Sequence, residues 1–202
     1  MLQAYNKNKH KYKYMKPVTG RNESYTKVLE ILDEKYSNPI TIVETGCIRN
    51  VTEESKFGDG WSTLNWDYYC KKTGSKVYVV DIDENHLNQS MKIVPPSDYV
   101  EYTKDDSINY LKNFDKKIDL LFLDSFDYCG DAENIKACHN HSLNELKAAW
   151  DKLNDRCFIL IDDVFNDQWA GKGELSIPYL LENGFTLSYY MDSQALLERW
   201  KK

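Results

Sequence analysis

Several features are missing from this sequence, and each absence excludes a class of protein. No two cysteines have the Cys-x-x-Cys spacing of a zinc site, and their odd number argues against a disulfide framework and favours reduced thiols. No apolar run is long enough to cross a bilayer, and no apolar core of a secretory signal is found. We therefore expect a soluble, cytoplasmic protein with no membrane span. The five cysteines are Cys47, Cys70, Cys129, Cys138 and Cys157.

An excess of positive charge is also missing. The sequence has 26 Lys and Arg against 32 Asp and Glu, a formal net charge of −6. Such an acidic balance argues against a nucleic-acid partner. Apolar residues make up 42% of the 202 residues, which is enough to form the core of one domain.

Residues 1–22 differ in composition from the rest of the chain. Between Met1 and Lys16, five lysines are interleaved with three tyrosines. We predict a basic N-terminal extension or lid over residues 1–22 and one domain over residues 23–202. The alternatives are a solvated arm or a junction to another domain of a longer natural chain, and a homodimer is left open.

Short apolar runs alternate with segments of helical spacing along the domain. This alternation predicts an α/β fold with a doubly wound, mostly parallel seven-stranded sheet and helices on both faces. Little helix separates the last two strands, so we expect an antiparallel C-terminal strand. The predicted strands are 40–43, 76–81, 99–103, 118–124, 157–162, 185–190 and 194–200, and the main helices are 24–36, 61–72, 83–91, 107–114, 142–153 and 174–182.

A glycine-containing loop follows the first strand and is the central feature of the sequence. The strand ends at Glu44 and Gly46, and the loop closes at Gly58–Thr63, where a helix begins. Glycines allow a ligand to approach the backbone, and a helix N-terminus offers free N–H groups, so the unit is typical of a nucleotide site. The compact GxGxxG turn of an NAD-dependent oxidoreductase is absent, which argues against that class.

Acidic residues stand at the ends of nearly all the predicted parallel strands. Taken singly, each is a common turn or cap residue. Parallel strands place their carboxyl ends at one edge of a sheet, where ligands of such folds bind. Asp81 suits the ribose hydroxyls of an adenosine cofactor, and Asp106 and Ser107 suit the amino edge of adenine. Glu44 suits a cationic amino group or sulfonium.

These residues resemble the class I, seven-stranded S-adenosylmethionine-dependent methyltransferases over residues 40–200, and in particular the small sugar O-methyltransferases of the macrocin type. The resemblance implies that Glu44 and Gly46 line the methionine and ribose, and that Ser62 and Thr63 lie near the methionine carboxylate. Arg49 either serves that carboxylate or only stabilises the loop. It also implies ribose binding by Asp81 and adenine binding by Asp106 and Ser107. The loop between Gly46 and Gly58 is longer than the usual turn. The motifs are Glu44–Gly46, Gly58–Thr63, Val80–Asp83, Asp106–Ser107, Asn144–Ala148, Ile161–Asp163 and Gly171–Gly173.

The catalytic candidates are Asp124, His141 and Asp162. Methyl transfer to an alcohol requires removal of its proton, by a base or through a metal that lowers its pKa. Acids at positions such as Asp124, Asp162 and Asp163 hold a divalent cation in metal-dependent O-methyltransferases, so Mg²⁺ or Mn²⁺ at these three residues is one prediction. The alternatives are that Asp124 is the base or that the acids only hold loops. The segment Ser125–Tyr128 lacks a lysine, which argues against lysine catalysis as in catechol-type enzymes.

Aromatic residues accompany the acids in the segments expected to form the acceptor pocket. Tyr128, Phe165 and Trp169 provide faces on which a sugar ring can stack, while the carboxylates bind its hydroxyls. We therefore predict O-methylation of a sugar or glycan hydroxyl. The alternatives are a non-sugar small molecule as acceptor, or an inactive adenosine-binding module. Retention of Asp124, Asp162 and Asp163 disfavours the inactive module.

Overall fold

The computed structural model describes residues 16–166 and 168–200. Most of the predicted basic extension lies outside the described residues, so its role as a lid and the boundary at residue 22 stay predictions. Residues 19–21 lie against the domain, because the N–H of Gly20 donates to the carbonyl of Lys56 at 2.9 Å.

Seven helices and nine strands occur in the part of the chain that the structure describes. A short 3₁₀ turn over Trp150–Lys152 precedes the fifth strand. The helices are α1 (Asn22–Lys35), α2 (Glu53–Gly58), α3 (Ser62–Thr73), α4 (Glu84–Ile93), α5 (Ser107–Asn113), α6 (Ala132–Ala149) and α7 (Gly173–Glu182). The strands are β1 (Thr41–Thr45), β2 (Lys76–Asp81), β3 (Val100–Lys104), β4 (Ile118–Leu123), β5 (Leu153–Ile161), β6 (Val164–Phe165), β7 (Ala170–Gly171), β8 (Thr186–Met191) and β9 (Gln194–Trp200).

The main sheet has seven strands in the order β3-β2-β1-β4-β5-β9-β8. The first five pair in parallel, whereas β9 runs antiparallel to both β5 and β8. The predicted α/β fold with an antiparallel C-terminal strand is therefore confirmed. The strand order reverses at β1 and β4, and the carboxyl ends of these two strands flank the site described below.

The core lies on both faces of the sheet. Along β4, Leu120 and Phe122 pack into the cluster on one face, and Leu121 and Leu123 pack into the cluster on the other. All four side chains are fully buried. Their alternation has the period of two that a strand imposes, and burial of both faces explains the continuous apolar run of the sequence.

Two helices differ from the sequence prediction. Helix α2 lies within the segment predicted to be loop, and α6 begins at Ala132, ten residues before the predicted start at Ser142. The first turns of α6 are polar and carry little apolar stripe, so helical periodicity is weak there. Its start is set by Asp131, whose side chain accepts hydrogen bonds from the N–H groups of Glu133 and Asn134.

Among the described residues, no helix is long and apolar enough to cross a membrane.

Candidate active site

Two cavities adjoin at the carboxyl-end edge of the parallel strands. Their volumes are about 320 Å³ and about 260 Å³. Asp81, Ile82 and Ser125 line both of them, so the two form one elongated groove with Asp81 at the junction. Of the residues predicted to bind the cofactor, Gly46, Arg49 and Ser62 line the first cavity, and Asp106 and Ser107 line the second.

Gly46 forms the floor of the first cavity, and its position requires glycine. Its φ is +83°, and a Cβ atom there would lie 2.4 Å from the carbonyl oxygen of Asp124. Its N–H donates to the carbonyl of Val80 at 2.8 Å, which ties the loop to the end of β2. A side chain would both strain the backbone and push apart the ends of β1 and β4.

Two predicted cofactor residues, Glu44 and Thr63, lie beneath the groove and do not line it. Both are fully buried. Neither carboxyl oxygen of Glu44 receives a well-aligned hydrogen bond, and the hydroxyl of Thr63 is likewise unpartnered. Burial raises the pKa of Glu44 to about 8, although the nearby side chains of Ser62 and Thr63 oppose the shift.

Asp81 at the end of β2 is held in place by its neighbours. Its Oδ1 accepts a hydrogen bond from the N–H of Asp83 at 2.8 Å, and the Cys47 thiol lies 3.4 Å from Oδ2. The side chain is nearly buried, yet it lines both cavities. Such a carboxylate can accept hydrogen bonds from two vicinal hydroxyls of a ligand that lies along the groove.

His141 lies on α6 and lines the second cavity together with Asp106 and Ser107. Its Nε2 is 3.1 Å from the hydroxyl of Ser107, 2.9 Å from that of Ser125 and 3.4 Å from Oε1 of Glu145. Burial opposes the charged form of His141, but the hydrogen bond and the charge of Glu145 outweigh it and raise the pKa of the histidine. The predicted catalytic histidine thus lies at the end of the groove where the adenine residues were predicted.

Asp106 caps a helix and also lines the second cavity. It is the N-cap of α5, where its side chain accepts a hydrogen bond from the N–H of Asn109 at 2.9 Å. The cap fixes the first turn of the helix and thereby the hydroxyl of Ser107 beside His141.

The three acids predicted to bind a metal lie together beside the first cavity. Asp124, Asp162 and Asp163 can each offer an oxygen within 4.8 Å of the others. Asp162 is buried, and burial together with the charge of Asp124 raises its pKa to about 8. Burial also raises the pKa of Asp124, although Lys172 opposes this shift. Three carboxylates that lie so close together require compensating positive charge.

Two side chains from distant parts of the chain supply that charge. Lys172 places its Nζ 2.5 Å from Oδ1 of Asp124 and 3.1 Å from Oδ2 of Asp163. Arg21 places Nε 2.8 Å from Oδ1 of Asp162 and one terminal nitrogen 3.0 Å from Oδ1 of Asp163. Both oxygens of Asp163 and one oxygen of each other acid are therefore paired with a cation.

Local structure explains how Lys172 reaches the acids. The short antiparallel ribbon of β6 and β7 folds the chain back after Asp163, and the N–H of Lys172 donates to the carbonyl of Asp163 at 3.2 Å. Gly171 has a φ of +91°, and a Cβ atom there would lie 1.9 Å from the same carbonyl oxygen. Only glycine allows this approach, which explains the first glycine of the Gly-Lys-Gly sequence.

Left-handed backbone is concentrated around the first cavity. Three non-glycine residues that line it have positive φ angles: Arg21 at 52°, Trp61 at 42° and Asp163 at 48°. Such conformations cost on the order of 1–3 kcal/mol each and persist where surrounding structure enforces them. Their grouping at one cavity is typical of a functional site.

Arg49 crosses the mouth of the first cavity. Its NH1 nitrogen lies 2.6 Å and 2.8 Å from the two carboxyl oxygens of Asp127. Both side chains are substantially exposed. This pair links the loop after β1 to the segment after β4, so a cofactor-binding role for Arg49 would require it to exchange or share this partner.

The aromatic residues predicted to form the acceptor pocket contact other rings. The ring of Tyr128 is 5.4 Å from that of Phe165 and stacks on His139 at 5.8 Å. Trp169 packs edge-on against Tyr190 at 5.8 Å. Tyr128 and Phe165 are thus close enough to act as one surface, whereas Trp169 is anchored against a different element.

A parallel sheet with this strand order, a glycine loop after β1 and acids at the ends of β2 and β4 defines the class I S-adenosylmethionine-dependent methyltransferases. The family model described as "Methyltransferase domain" matches residues 56–164, more than half of the chain. The chain therefore belongs to this family of methyltransferase domains. No curated protein sequence matches it.

Solved structures of methyltransferases are similar in fold. PaMTH1 of Podospora anserina, bound to S-adenosylhomocysteine, is 20% identical, with 89% of this chain and 78% of that chain covered and a TM-score of 0.61. Magnesium protoporphyrin IX methyltransferase of Synechocystis, with bound S-adenosylmethionine, is 13% identical. The match covers 88% of this chain and 78% of that chain, with a TM-score of 0.55. MycE of mycinamycin biosynthesis, in complex with Mg and S-adenosylhomocysteine, is 14% identical. The match covers 89% of this chain and 49% of that chain, with a TM-score of 0.59.

The groove fits S-adenosylmethionine, the methyl donor of the class. It is elongated, has the Asp81 carboxylate at its midpoint, and has Gly46 at one end, where the backbone leaves room for a ligand. Glu44 stands in β1, two residues before Gly46, and its carboxylate suits a positively charged donor.

Proposed function

We propose that this domain transfers a methyl group from S-adenosylmethionine to a hydroxyl oxygen of a sugar or glycan. The observation that carries the proposal is the position of Asp124, which lines the first cavity and follows β4 at the carboxyl-end edge of the sheet. A base at that point faces the first cavity of the groove, and Tyr128 follows it four residues later in the chain.

The proposed cofactor contacts follow the groove from end to end. Asp81 accepts hydrogen bonds from the ribose, and Gly46 and Ser62 line the methionine end. Asp106 and Ser107 bind adenine, with His141 and Phe126 completing that wall; the rings of His141 and Phe126 lie 5.3 Å apart. Glu44 and Thr63 support the methionine end of the cofactor from below. Arg49 binds the methionine carboxylate when its ion pair with Asp127 opens.

His141 acts in this proposal as a positioning residue of the adenine end. Its Nε2 contacts serine hydroxyls of the second cavity, whereas Asp124 lines only the first. A histidine that donates to Ser125 leaves the hydroxyl of Ser107 free to donate to a ring nitrogen of adenine. This role replaces that of a general base.

Asp124 removes the acceptor proton in the proposed reaction. The cofactor supplies an electrophilic methyl group on sulfur. The acceptor oxygen forms the new O–CH₃ bond as the S–CH₃ bond breaks, and its proton passes to Oδ2 of Asp124, the oxygen that Lys172 does not bind. Holding the two reactants in line accounts for much of the acceleration, and the base adds to it. Asp162 is paired with Arg21 and helps to hold the three carboxylates in position. It also bears part of the negative charge of the cluster.

The choice of a sugar rests on the acceptor side of the site. The fold does not choose the acceptor, because neighbours of similar fold include the magnesium protoporphyrin IX methyltransferase and an N-methyltransferase, NodS. Tyr128 and Phe165 form one pair of ring faces, they stand close in sequence to Asp124 and Asp163, and Phe165 is 36% exposed. Apolar faces beside hydrogen-bonding acids match the two kinds of surface on a hexose.

A panel of acceptors tests this proposal. Methyl transfer from labelled S-adenosylmethionine is measured with deoxysugars, hexosides and a glycan, and in parallel with a catechol, a peptide and an RNA oligomer. We expect turnover with a sugar hydroxyl and the label in an ether linkage. Preference for the catechol would favour the second candidate, a non-sugar small-molecule O-methyltransferase, and preference for the peptide or RNA would refute both.

A further inference from the structure

The carboxylate cluster that was predicted to bind Mg²⁺ or Mn²⁺ already contains two cationic side chains. Lys172 is hydrogen-bonded to Asp124 and Asp163. Arg21 is hydrogen-bonded to Asp163 and forms an ion pair with Asp162 at 2.8 Å. The Lys172 side chain is 3% exposed, so no shell of water screens its charge from the cluster.

We propose that Lys172, assisted by Arg21, is the resident cation of this site and takes the place that a divalent metal ion would occupy between the three acids. The proposal assigns a role to two residues that carried no predicted function, and it makes methyl transfer by this domain independent of divalent cations.

The donor set explains why a metal is excluded. A divalent ion needs several oxygens at about 2.0–2.6 Å, arranged around one point. The two oxygens of Asp163 and one oxygen each of Asp124 and Asp162 are already taken up by nitrogen atoms. A metal bound to the remaining oxygens would lie next to a buried ammonium and a guanidinium, and like charges at such distances repel strongly where water is scarce.

The surrounding backbone is shaped to hold these two cations. Gly171 places Lys172 against Asp163, and the left-handed Arg21 precedes α1, with its NH1 donating to the carbonyl of Gly58 at 3.2 Å. Arg21 has a strained backbone conformation, and Lys172 follows a position that only glycine can occupy. Because both conformations bring a positive charge to the same carboxylate cluster, they indicate a specific arrangement of these residues. A neighbour of similar fold, MycE, was solved with Mg, so the fold itself does not exclude a metal.

Within the proposed reaction, Lys172 is a positioning residue. It fixes Oδ1 of Asp124 and favours the ionised form of that carboxylate, which leaves Oδ2 for the acceptor. This step rests on the proposed O-methyl transfer, whereas occupation of the cluster by Lys172 and Arg21 does not. The two claims are therefore tested by separate measurements.

Metal binding is measured first, on the full chain and without any acceptor. Mn²⁺ is titrated into the wild type, Lys172→Met and Lys172→Arg, with detection by electron paramagnetic resonance and calorimetry. Lys172→Met keeps most of the length of the side chain without its charge and frees one oxygen each of Asp124 and Asp163, so we expect it to bind Mn²⁺ at least about tenfold more tightly than the wild type. Lys172→Arg keeps the charge and should bind no better than the wild type.

Two controls show where the ion binds. The double variant Lys172→Met, Asp124→Asn should lose the gained Mn²⁺ affinity, because it lacks one of the freed oxygens. Lys147→Met removes an exposed lysine of α6 and should behave as the wild type. A melting temperature that rises with Mn²⁺ in Lys172→Met, and not in the wild type, would locate the effect in the folded state.

The wild type alone can overturn the proposal, even if Lys172→Met does not fold. Binding of Mn²⁺ to the wild type that Asp124→Asn abolishes would refute it. So would loss of methyl transfer in EDTA that Mg²⁺ restores, because we expect full activity in EDTA. If no acceptor is methylated, the proposed function fails, and the Mn²⁺ titrations still decide which cation occupies the cluster.

Discussion

Lys172 Nζ lies 2.5 Å from Oδ1 of Asp124, and the two residues are 48 positions apart in sequence. Asp124 follows β4, and Lys172 stands at the start of α7, after the chain has formed β5 and the short ribbon. The contact therefore connects the centre of the sheet to a segment that sequence periodicity alone does not place. It places a positive charge beside the carboxylates at the carboxyl-end edge of the sheet.

The first prediction concerns the energetic coupling of this pair. Lys172→Met should destabilise the protein by about 3–5 kcal/mol, because it leaves buried carboxylates without their partner. Adding Asp124→Asn to Lys172→Met should recover part of that loss, since one of the uncompensated charges is then removed. Urea unfolding of the wild type, both single variants and the double variant in metal-free buffer measures the coupling. Additive losses would show that the ion pair contributes nothing.

The strand ends could be predicted from sequence because a parallel sheet places them by topology. An apolar run fixes each strand, and the residue after it must lie at the carboxyl edge, so the positions of Asp81 and Asp124 follow from local pattern. Arg21 could not be found in this way. It lies 142 residues from Asp163, and nothing in a lone arginine at a helix start indicates its partner.

His141 shows a different limit of sequence reasoning. The polar first turns of α6 hide the start of the helix, so the sequence places His141 just before a helix predicted to begin at Ser142. The helix instead directs it toward Ser107 and Ser125. Asp131 was the available signal, since an Asp followed by a Glu two residues later is typical of a helix start.

The second prediction concerns ribose binding. Asp81→Ala removes two charge-assisted hydrogen bonds, a loss of roughly 2–4 kcal/mol, or about thirtyfold or more in Kd for S-adenosylmethionine. Calorimetry measures the affinity, and circular dichroism checks the fold. Asp83→Asn is the matched control, because it keeps the cap of α4 and should leave the affinity unchanged. Equal affinities for Asp81→Ala and wild type would exclude Asp81 from the site.

The third prediction concerns Glu44 and pH. Its pKa is about 8 in the folded protein, above the ordinary value of 4.5, so between these values the folded state holds a proton that the unfolded state has lost. Stability should therefore fall as pH rises through this window, by up to about 1.4 kcal/mol per pH unit. Glu44→Gln should remove this slope and raise the melting temperature at pH 8, without raising it at pH 4. Thermal unfolding across pH without cofactor tests this, and an unchanged slope would contradict it.

The fourth prediction concerns His141. Burial opposes its charge, but Glu145 and Asp106 favour it and Lys172 opposes it, and the net result is a raised pKa. Because the pKa of His141 is higher in the folded state than in the unfolded state, protonation of His141 stabilises the fold. The stabilisation is complete below the unfolded-state pKa, near 6.5, and is lost as the pH rises through the folded-state pKa.

Glu145→Gln tests the source of this shift. The glutamine keeps an acceptor for the hydroxyl of Ser125 and removes the charge beside His141. We expect the stability difference between wild type and Glu145→Gln to be larger at pH 6 than at pH 9, and NMR titration of His141 to show a lowered pKa in the variant. A difference that does not change with pH would refute the pairing.

The fifth prediction concerns the base. Asp124→Asn nearly preserves the shape of the site and removes the charge that accepts the proton, so kcat on the best acceptor should fall by more than roughly a hundredfold. The Kd for S-adenosylmethionine should change much less, because Asp81 and Ser107 are untouched. Asp115→Asn is the control: its side chain is exposed, its partner is Lys116, and it lines neither cavity of the groove, so its kcat should stay close to that of the wild type. An Asp124→Asn variant that turns over at the wild-type rate would transfer the role of base to another group.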